Sequence, residues 1–265
     1  MSDLAGWFGT HTGGALQGKV AVVTGAGRGC GEAIAIGFAR AGARVCCVSR
    51  TRSEIDAVVK VIEADGGTAI GVAADVSDLG SVEPMFRQVV ERFGGLDILV
   101  LSHGVALSLA NIEDTDPLDW KRTIEINLIG TYHCARTATP YLKSRGAGKI
   151  IVIGSGQGHQ GTAATSAYAC SKAGTWALVQ SLAAELVSFN ISVNELLPGN
   201  VKTKLYDDTF KQLAAVTPAG TTPLAAKRSH EWLKRPEDVV PLALFMASQP
   251  DVGPTAQSFS LMRRF

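Results

Sequence analysis

From Lys19 onward, short runs of β-branched and apolar residues alternate with amphipathic stretches long enough to form helices. This alternation is typical of repeated βαβ units that build a parallel sheet. The runs are apolar throughout rather than alternating, as expected when helices cover both faces of the sheet. The pattern therefore predicts an α/β protein with a Rossmann-like, doubly wound parallel sheet. The predicted strands, about seven in number, are Val20–Thr24, Arg44–Ser49, Thr68–Ala73, Asp97–Leu101, Lys149–Ile153, Ile191–Leu196 and Gln257–Leu261.

The length of 265 residues allows one large α/β domain or two small ones, and one domain is the simpler interpretation. We expect an N-terminal extension over residues 1–17 and a single catalytic domain over 18–265. Long helices are predicted roughly over Pro117–Ser144 and Ser166–Ser188, and a last helix near Pro236. Between Thr203 and Pro236 the pattern fails, and such a long irregular insert is usually functional, so we predict a substrate lid over about 203–235.

Charge, cysteine usage and hydropathy exclude several classes of protein. Lys and Arg (25) balance Asp and Glu (24), so the chain has no field that would attract nucleic acid or an acidic membrane. Five cysteines do not form a disulfide framework, and no spacing of Cys or His resembles a zinc site. The first 17 residues lack the pattern of a signal peptide, and no apolar run reaches the length of a membrane span. We therefore expect a cytoplasmic protein with a small-molecule site and no metal.

The first predicted strand leads directly into a glycine-rich turn, Thr24-Gly25-Ala26-Gly27-Arg28-Gly29-Cys30-Gly31, and then into a helix. Glycines in such a turn let the backbone approach a pyrophosphate, and the N–H groups and dipole at the helix start stabilise its charge. A glycine pattern alone can also be a tight structural turn. The strand-to-helix context favours a dinucleotide site.

Tyr168 and Lys172 lie four residues apart in an Ala-rich helical stretch, so their side chains share one helix face. An ammonium near a phenol lowers the phenol pKa towards neutral pH. Ser155 follows the predicted strand that ends at Ile153, at the edge where parallel sheets place their ligand crevice. On its own a Tyr–Lys pair is also typical of a solvated helix face, but together with the glycine turn it indicates catalysis.

These ordered motifs resemble the short-chain dehydrogenase/reductase family, in its small single-domain branch, from about Gly18 to Ser248. The shared features are the Thr24–Gly31 turn, Asp75-Val76, Asn127, Ser155, Tyr168-x-x-x-Lys172, and Pro198-Gly199 followed by Thr203. The resemblance implies an NAD(P)H-dependent oxidoreductase that moves a hydride between a nicotinamide and a ketone or aldehyde, or its alcohol. Metal and nucleic acid are not expected to take part.

The resemblance also implies roles for the matching residues. Tyr168 would be the general acid/base, Ser155 would orient the carbonyl oxygen, and Lys172 would lower the Tyr168 pKa and bind the nicotinamide ribose. Asn127 would position a water that links Lys172 to solvent. The implied cofactor-binding residues are Gly25, Arg28, Gly29, Cys30, Gly31, Ser49, Arg50, Asp75, Val76, Gly104, Tyr168, Lys172, Pro198, Gly199, Val201 and Thr203.

The end of the second strand bears on the choice of cofactor. An NAD-preferring fold normally has Asp or Glu there to bind the ribose hydroxyls. This chain has Ser49-Arg50-Thr51-Arg52 instead, and Arg28 in the glycine turn adds a cation. The sequence therefore predicts a preference for NADP(H), with NAD(H) as the alternative and solvated arginines as the competing explanation.

The chain departs from the family where Leu101-Ser102-His103-Gly104 replaces the usual Asn-Asn-Ala-Gly, and at the Leu261–Phe265 tail. We expect His103 to bond to backbone, with contact to the cofactor as the alternative; His159 could bond a polar substrate or lie on the surface.

Three further expectations concern activity and partners. His133 and Phe189 replace arginines that acyl-carrier-protein reductases of the family generally carry, so 3-oxoacyl reduction ranks below action on a free ketone or alcohol. A nucleotide-sensing binding protein without catalysis is a weaker alternative. By resemblance, the two long helices would pack in a homotetramer or homodimer.

Overall fold

The computed structural model describes residues 14–216 and 231–262. Trp7 and Phe8, the middle of the predicted lid and the tail beyond Met262 lie outside these ranges. Within them, no helix is long and apolar enough to cross a membrane.

Seven parallel strands form one sheet in the order β3-β2-β1-β4-β5-β6-β7, which confirms the predicted fold class. The first three predicted strands have the predicted bounds, the next three differ by one residue at one end, and the last is one residue shorter at each end. Their bounds are β1 Val20–Thr24, β2 Arg44–Ser49, β3 Thr68–Ala73, β4 Ile98–Leu101, β5 Gly148–Ile153, β6 Ile191–Leu197 and β7 Ser258–Ser260.

Helices cover both faces of the sheet, and this explains why most of its strands are apolar throughout. Phe38 belongs to the core on one face and Phe86 to the core on the other, and both are fully buried. The helices are α1 Gly29–Arg40, α2 Arg52–Ala64, α3 Leu79–Phe93, α4 Pro117–Ile124, α5 Gly130–Ser144, α6 Ser166–Leu186, α7 Lys204–Val216 and α8 Val240–Ser248. Helices α1, α2 and α8 pack on the first face and α3, α5 and α6 on the second.

The predicted helix over Pro117–Ser144 is interrupted. A π-helical turn, Glu125–Ile129, separates α4 from α5. It inserts one residue into the helical repeat, a feature that is frequent at functional sites. The helix predicted over Ser166–Ser188 ends at Leu186 and continues as a short 3₁₀ turn, Val187–Phe189.

The predicted irregular lid is wrong in its first half, because residues Lys204–Val216 form helix α7. None of its residues is fully buried, so its sequence lacks the apolar density that reveals a helix packed on a core. The two ends of the lid are joined to each other. Val201 pairs with Lys234 in an isolated parallel bridge, and Lys202 N donates to Lys234 O at 2.8 Å.

The order of the strands determines where a ligand can bind. From β1 the chain proceeds outward to β2 and β3, and then returns to the other side of β1 with β4. The connections on the two sides of this switch point leave the sheet in opposite directions, which opens a crevice at the carboxyl ends of the strands.

Candidate active site

A cavity of about 580 Å³ lies at the carboxyl ends of the central strands. Every residue predicted to bind the cofactor lines it, and so do Ser155, Tyr168 and Lys172. Asn127 is the one predicted catalytic residue that does not line the cavity; it lies buried behind the wall. The fold therefore brings together residues that are up to 178 positions apart in the sequence, from Gly25 to Thr203.

The glycine turn has the shape of a cradle for a pyrophosphate. Gly25 and Gly29 have φ angles of 66° and 61°, a conformation that side chains with a Cβ rarely adopt. A Cβ on Gly31 would lie 2.3 Å from the Gly25 carbonyl oxygen, so the backbone can pack this closely only with glycine. Helix α1 begins at Gly29, and the Arg28 side chain does not cap its first N–H groups. The turn thus fits the phosphates of a dinucleotide.

Arg28 and Arg50, the cations from which a preference for NADP(H) is predicted, have a carboxylate neighbour that is not among the predicted site residues. Arg28 forms an ion pair with Glu54 at 3.5 Å, and Glu54 lines the same cavity beside Ser49 and Arg50. In an NAD-preferring fold the ribose-binding carboxylate is expected at the end of the second strand. Glu54 lies beyond that position, in the first turn of α2. A carboxylate is therefore present, although not at the strand end.

Asp75 lies at the other side of this part of the cavity. Burial alone would raise the pKa of its carboxyl, but hydrogen bonds from Ser77 and the charges of Arg122 and Arg50 outweigh burial and lower the pKa. The Asp75 carboxylate accepts from Arg122 at 3.0 Å. Asp75 is thus held ionised and fixed in the wall of the cavity.

Ser155 and Tyr168, two of the predicted catalytic residues, both line the cavity. Ser155 lies two residues after β5, and Tyr168 is in the first turn of α6. Burial raises the pKa of the Tyr168 phenol, and the Ser155 side chain lowers it in part. The expected fall of the phenol pKa towards neutrality is therefore not what this structure has.

Lys172 explains the difference. Its Nζ lies 5.9 Å from the centroid of the Tyr168 ring and donates a hydrogen bond to the carbonyl oxygen of Ile153 at 2.7 Å. The ammonium is therefore directed at the end of β5 rather than at the phenol. Burial lowers the pKa of Lys172 to about 8, and the charge of Glu195 opposes this shift.

Asn127 sits in the π-helical turn and is almost fully buried. Its side-chain amide exchanges two hydrogen bonds with the backbone of Val105, accepting from the N–H and donating to the C=O, both at 2.8 Å. It also donates to the Ser171 hydroxyl at 2.9 Å. The side chain thus ties the loop after β4 to the helix that carries Tyr168 and Lys172.

His103 does not bond as we expected. Its Nδ1 pairs with the Thr24 hydroxyl at 2.7 Å and its Nε2 with the Thr131 hydroxyl at 3.3 Å, so its main partners are side chains rather than backbone. Burial lowers the pKa of the imidazole to about 3, and the charge of Lys172 adds to this effect. His103 is therefore neutral and joins the end of β1 to helix α5.

His159 is exposed, as the surface alternative predicted, and it does not line the cavity, but its ring has partners. Its Nε2 pairs with a carboxylate oxygen of Glu195 at 2.8 Å, and its ring meets Trp176 edge-on at 5.2 Å between centroids. Glu195 is in β6, is fully buried and was not among the predicted site residues. A carboxylate inside a strand predicted to be buried on both faces was the signal that could have revealed it.

The remaining lining is largely apolar and uncharged. It comes from the loop after β4, from the loop after β5 and from α7, where the rings of Tyr206 and Phe210 lie 4.2 Å apart. Met262 closes the wall against Gly156, whose missing side chain leaves room for it. The lysines at the start of α7, Lys202 and Lys204, also line the cavity, but each is paired with an aspartate.

Comparison with known proteins finds close similarity over most of the chain. A family model described as short chain dehydrogenase matches residues 19–214. A short-chain dehydrogenase/reductase of Armillaria gallica is 37% identical over 92% of this chain and 95% of its own. A cis-4-hydroxycyclohexanecarboxylate dehydrogenase of Sinomonas cyclohexanicum is 35% identical over 88% and 91%. The crystal structure of a 3-ketoacyl-ACP reductase from Sinorhizobium meliloti 1021 has a TM-score of 0.83 at 36% identity, over 91% and 96%.

Proposed function

The chain belongs to the short-chain dehydrogenase/reductase family, and from that premise we propose that it is an NADP(H)-preferring enzyme for a free ketone or aldehyde and the corresponding alcohol. The observation that carries the proposal is that Ser155, Tyr168 and the glycine cradle all line one cavity. Proton donor and phosphate-binding turn thus face the same space.

In the proposed reaction the bound nicotinamide supplies or accepts the hydride. In reduction, the Tyr168 hydroxyl donates its proton to the carbonyl oxygen, and the Ser155 hydroxyl donates a hydrogen bond that holds this oxygen in place. Oxidation runs the same proton transfer backwards. The raised pKa of the buried phenol keeps the proton on Tyr168 until a substrate oxygen can receive it. Lys172, whose ammonium is held by the Ile153 carbonyl oxygen at the end of β5, would bind the cofactor ribose.

The preference for NADP(H) is supported by Arg28, Ser49 and Arg50 around one end of the cavity. Glu54 acts in the opposite direction, since its charge would repel a 2′-phosphate. Its ion pair with Arg28 reduces that repulsion, and Arg50 is free of any ion pair among the described residues. The two carboxylates that line this part of the cavity are each paired with another arginine, Glu54 with Arg28 and Asp75 with Arg122, which leaves Arg50 as the cation available to a phosphate.

An uncharged substrate is supported by the lining beyond Ser155. The walls from the loops after β4 and β5, and from α7 beyond Lys204, contain no charged residue among those described. The relative from Sinomonas cyclohexanicum is named for a carboxylate substrate. We propose that this chain prefers the ketone without the carboxylate, because no unpaired cation in residues 14–216 and 231–262 faces that part of the cavity.

A 3-oxoacyl reductase is the second candidate, because the relative from Sinorhizobium meliloti carries that name. The two positions at which acyl-carrier-protein reductases of the family generally carry arginines give this candidate little support. The His133 ring is bonded to the carbonyl oxygen of Val76 at 3.1 Å, and the Phe189 ring lies under the Lys143 ammonium at 3.6 Å. Lys143, near the end of α5, thus places a cation beside the Phe189 position.

The test is to follow NADPH absorbance with cyclic and linear ketones, with a ketone that bears a carboxylate, and with a 3-oxoacyl thioester on acyl carrier protein. We expect turnover of the free ketones. Replacing Tyr168 by Phe should reduce turnover by about 10²-fold or more while NADPH binding stays nearly unchanged. Tyr132→Phe, at an exposed position on α5, is the matched control. Near-normal turnover in Tyr168→Phe would disprove the proposed role, and turnover of the thioester alone would favour the second candidate.

A further inference from the structure

Glu195 is a buried acidic residue to which the reaction proposed above gives no role. It lies within β6, has no exposed surface, and is paired in register with Val152 of β5 and Ser258 of β7. A carboxylate in such a place costs free energy unless charges or hydrogen bonds compensate it. Its partners therefore indicate what keeps it there.

One oxygen of the carboxylate is fully bonded. The His159 ring nitrogen lies 2.8 Å from Oε2, and the Ser258 hydroxyl donates to the same atom at 2.6 Å. His159 comes from the loop after β5 and Ser258 from β7, so the carboxylate is held from two sides.

The other oxygen has no hydrogen-bond donor among the described residues, although it is buried. It lies against Gly154, where an added Cβ would be 1.9 Å away, so only glycine leaves room for it. Gly154 is the residue between Ile153, whose carbonyl accepts from Lys172, and Ser155. One peptide unit therefore separates the unbonded oxygen of Glu195 from the Lys172 ammonium.

From this geometry we infer that Glu195 is a positioning residue: it is the buried counter-charge that keeps Lys172 in its ammonium form, and His159 and Ser258 hold it in place. The inference deepens the proposed function, since it rests on Lys172 acting as a cation in the same site.

The other groups that face Lys172 do not provide this charge. Cys30, from α1, remains a thiol because burial raises its pKa to about 11. Tyr168, on the same helix, has a raised pKa, and His103, after β4, is neutral because burial lowers its pKa to about 3. The charge of Glu195 is the largest influence that opposes the burial of the ammonium.

The experiment is to follow the titration of Lys172 itself in the protein without cofactor or substrate. Lysine labelled with ¹³C at Cε gives one NMR signal per side chain, and the Lys172 signal is identified by its loss in Lys172→Arg. In Glu195→Gln, which keeps the shape but removes the charge, we expect the titration midpoint to fall by about one pH unit, because the ammonium loses the negative charge that favours it.

Ser258→Ala is the matched control. It removes a hydrogen bond from the same carboxylate but leaves the charge, so the Lys172 midpoint should stay within about 0.3 pH units of the parent value, the size expected of a lost neutral contact. An unchanged midpoint in Glu195→Gln, or an equal fall in both variants, would overturn the inference. If Glu195→Gln does not fold, Glu195→Ala removes the charge with less bulk beside Gly154 and is judged by the same outcomes.

A second measurement separates this inference from the proposed function. The dissociation constant of NADPH is measured by its fluorescence across the pH range. As the pH rises, Lys172 in Glu195→Gln should lose its proton earlier than in the parent, so the loss of NADPH affinity should begin at a lower pH. A shifted NMR titration in a protein that reduces no ketone would support the counter-charge and refute the proposed function. An active enzyme with an unshifted titration would do the reverse.

Discussion

Two arginines near the end of β2 differ in their surroundings. Arg50 lines the cavity, whereas Arg52 is paired with Asp56 on the outside of α2. A charge-assisted hydrogen bond contributes about 1.5–3 kcal/mol, so Arg50→Asp, which also adds repulsion, should weaken NADPH binding about 10- to 100-fold or more. NADH binding should change much less. Both dissociation constants can be measured by nicotinamide fluorescence.

Arg52→Asp provides the control for this prediction, because it makes the same change of charge two residues away. It should leave both constants within about twofold, since an exposed charge outside the site is screened. An equal loss for NADPH and NADH in Arg50→Asp would show that Arg50 does not bind the phosphate.

His103 gives a prediction about stability and pH. Its folded pKa of about 3 lies below the ordinary value of 6.5, so the unfolded chain takes up a proton that the folded protein refuses. The resulting cost is absent above pH 6.5 and grows as the pH falls towards 3, with a slope of up to about 1.4 kcal/mol per pH unit. His103→Asn cannot take up this proton. Its free energy of unfolding, measured in urea at pH 7 and pH 4.5, should therefore fall less than that of the parent. Parallel decreases in the two proteins would contradict the prediction.

At the level of elements, the π-helical turn places the Asn127 amide where it can bond the Val105 backbone twice. Asn127→Asp keeps the shape but loses both donated bonds. A buried carbonyl and hydroxyl then lack a donor, which should cost about 2–3 kcal/mol of stability and lower turnover as the loop after β4 loosens. Thermal unfolding and initial rates provide the measurements. Asn111→Asp, on the exposed surface, should change neither. A variant as stable as the parent would show that the amide does not hold this loop.

Strands and helices with a dense apolar pattern could be predicted from the sequence. Features that depend on contacts with residues distant in the sequence could not. Strands such as β1 and β2 are buried on both faces, so their composition alone reveals them. Helix α7 escaped notice because its residues face a cavity and solvent rather than a core. The motif residues of the site were recognised from a resemblance. Glu54 and Glu195 were missed, because their partners Arg28 and His159 are distant in sequence and only folding brings them together.

For the whole molecule, the surface of the long helices bears on assembly. Tyr132 on α5 and Val187 beyond α6 are apolar and about half exposed. From the resemblance to the family we expect a homodimer or homotetramer, and these exposed side chains are candidates for its interface. Light scattering at micromolar concentration should show a mass two or four times that of the chain. A monomeric parent protein would rule this assembly out.

Substitution tests the surface proposed for this assembly. The double variant Tyr132→Glu and Val187→Glu places charges on the helices and should reduce the measured mass to that of a smaller species. Val61→Glu, at a similarly exposed apolar position on α2, should leave the mass unchanged. Loss of assembly in the control alone would place the interface elsewhere.

The pairing of Val201 with Lys234 has a consequence for how such an enzyme changes over generations. The segment between them leaves the sheet and returns to the same point, so its two ends are a fixed pair of attachment points. The entropy cost of closing a loop grows only slowly with its length. Residues can therefore be inserted, deleted or exchanged between these points with little effect on the strands or on the glycine turn. Selection can thus change the segment between Val201 and Lys234 as a unit while the strands and the glycine turn stay the same.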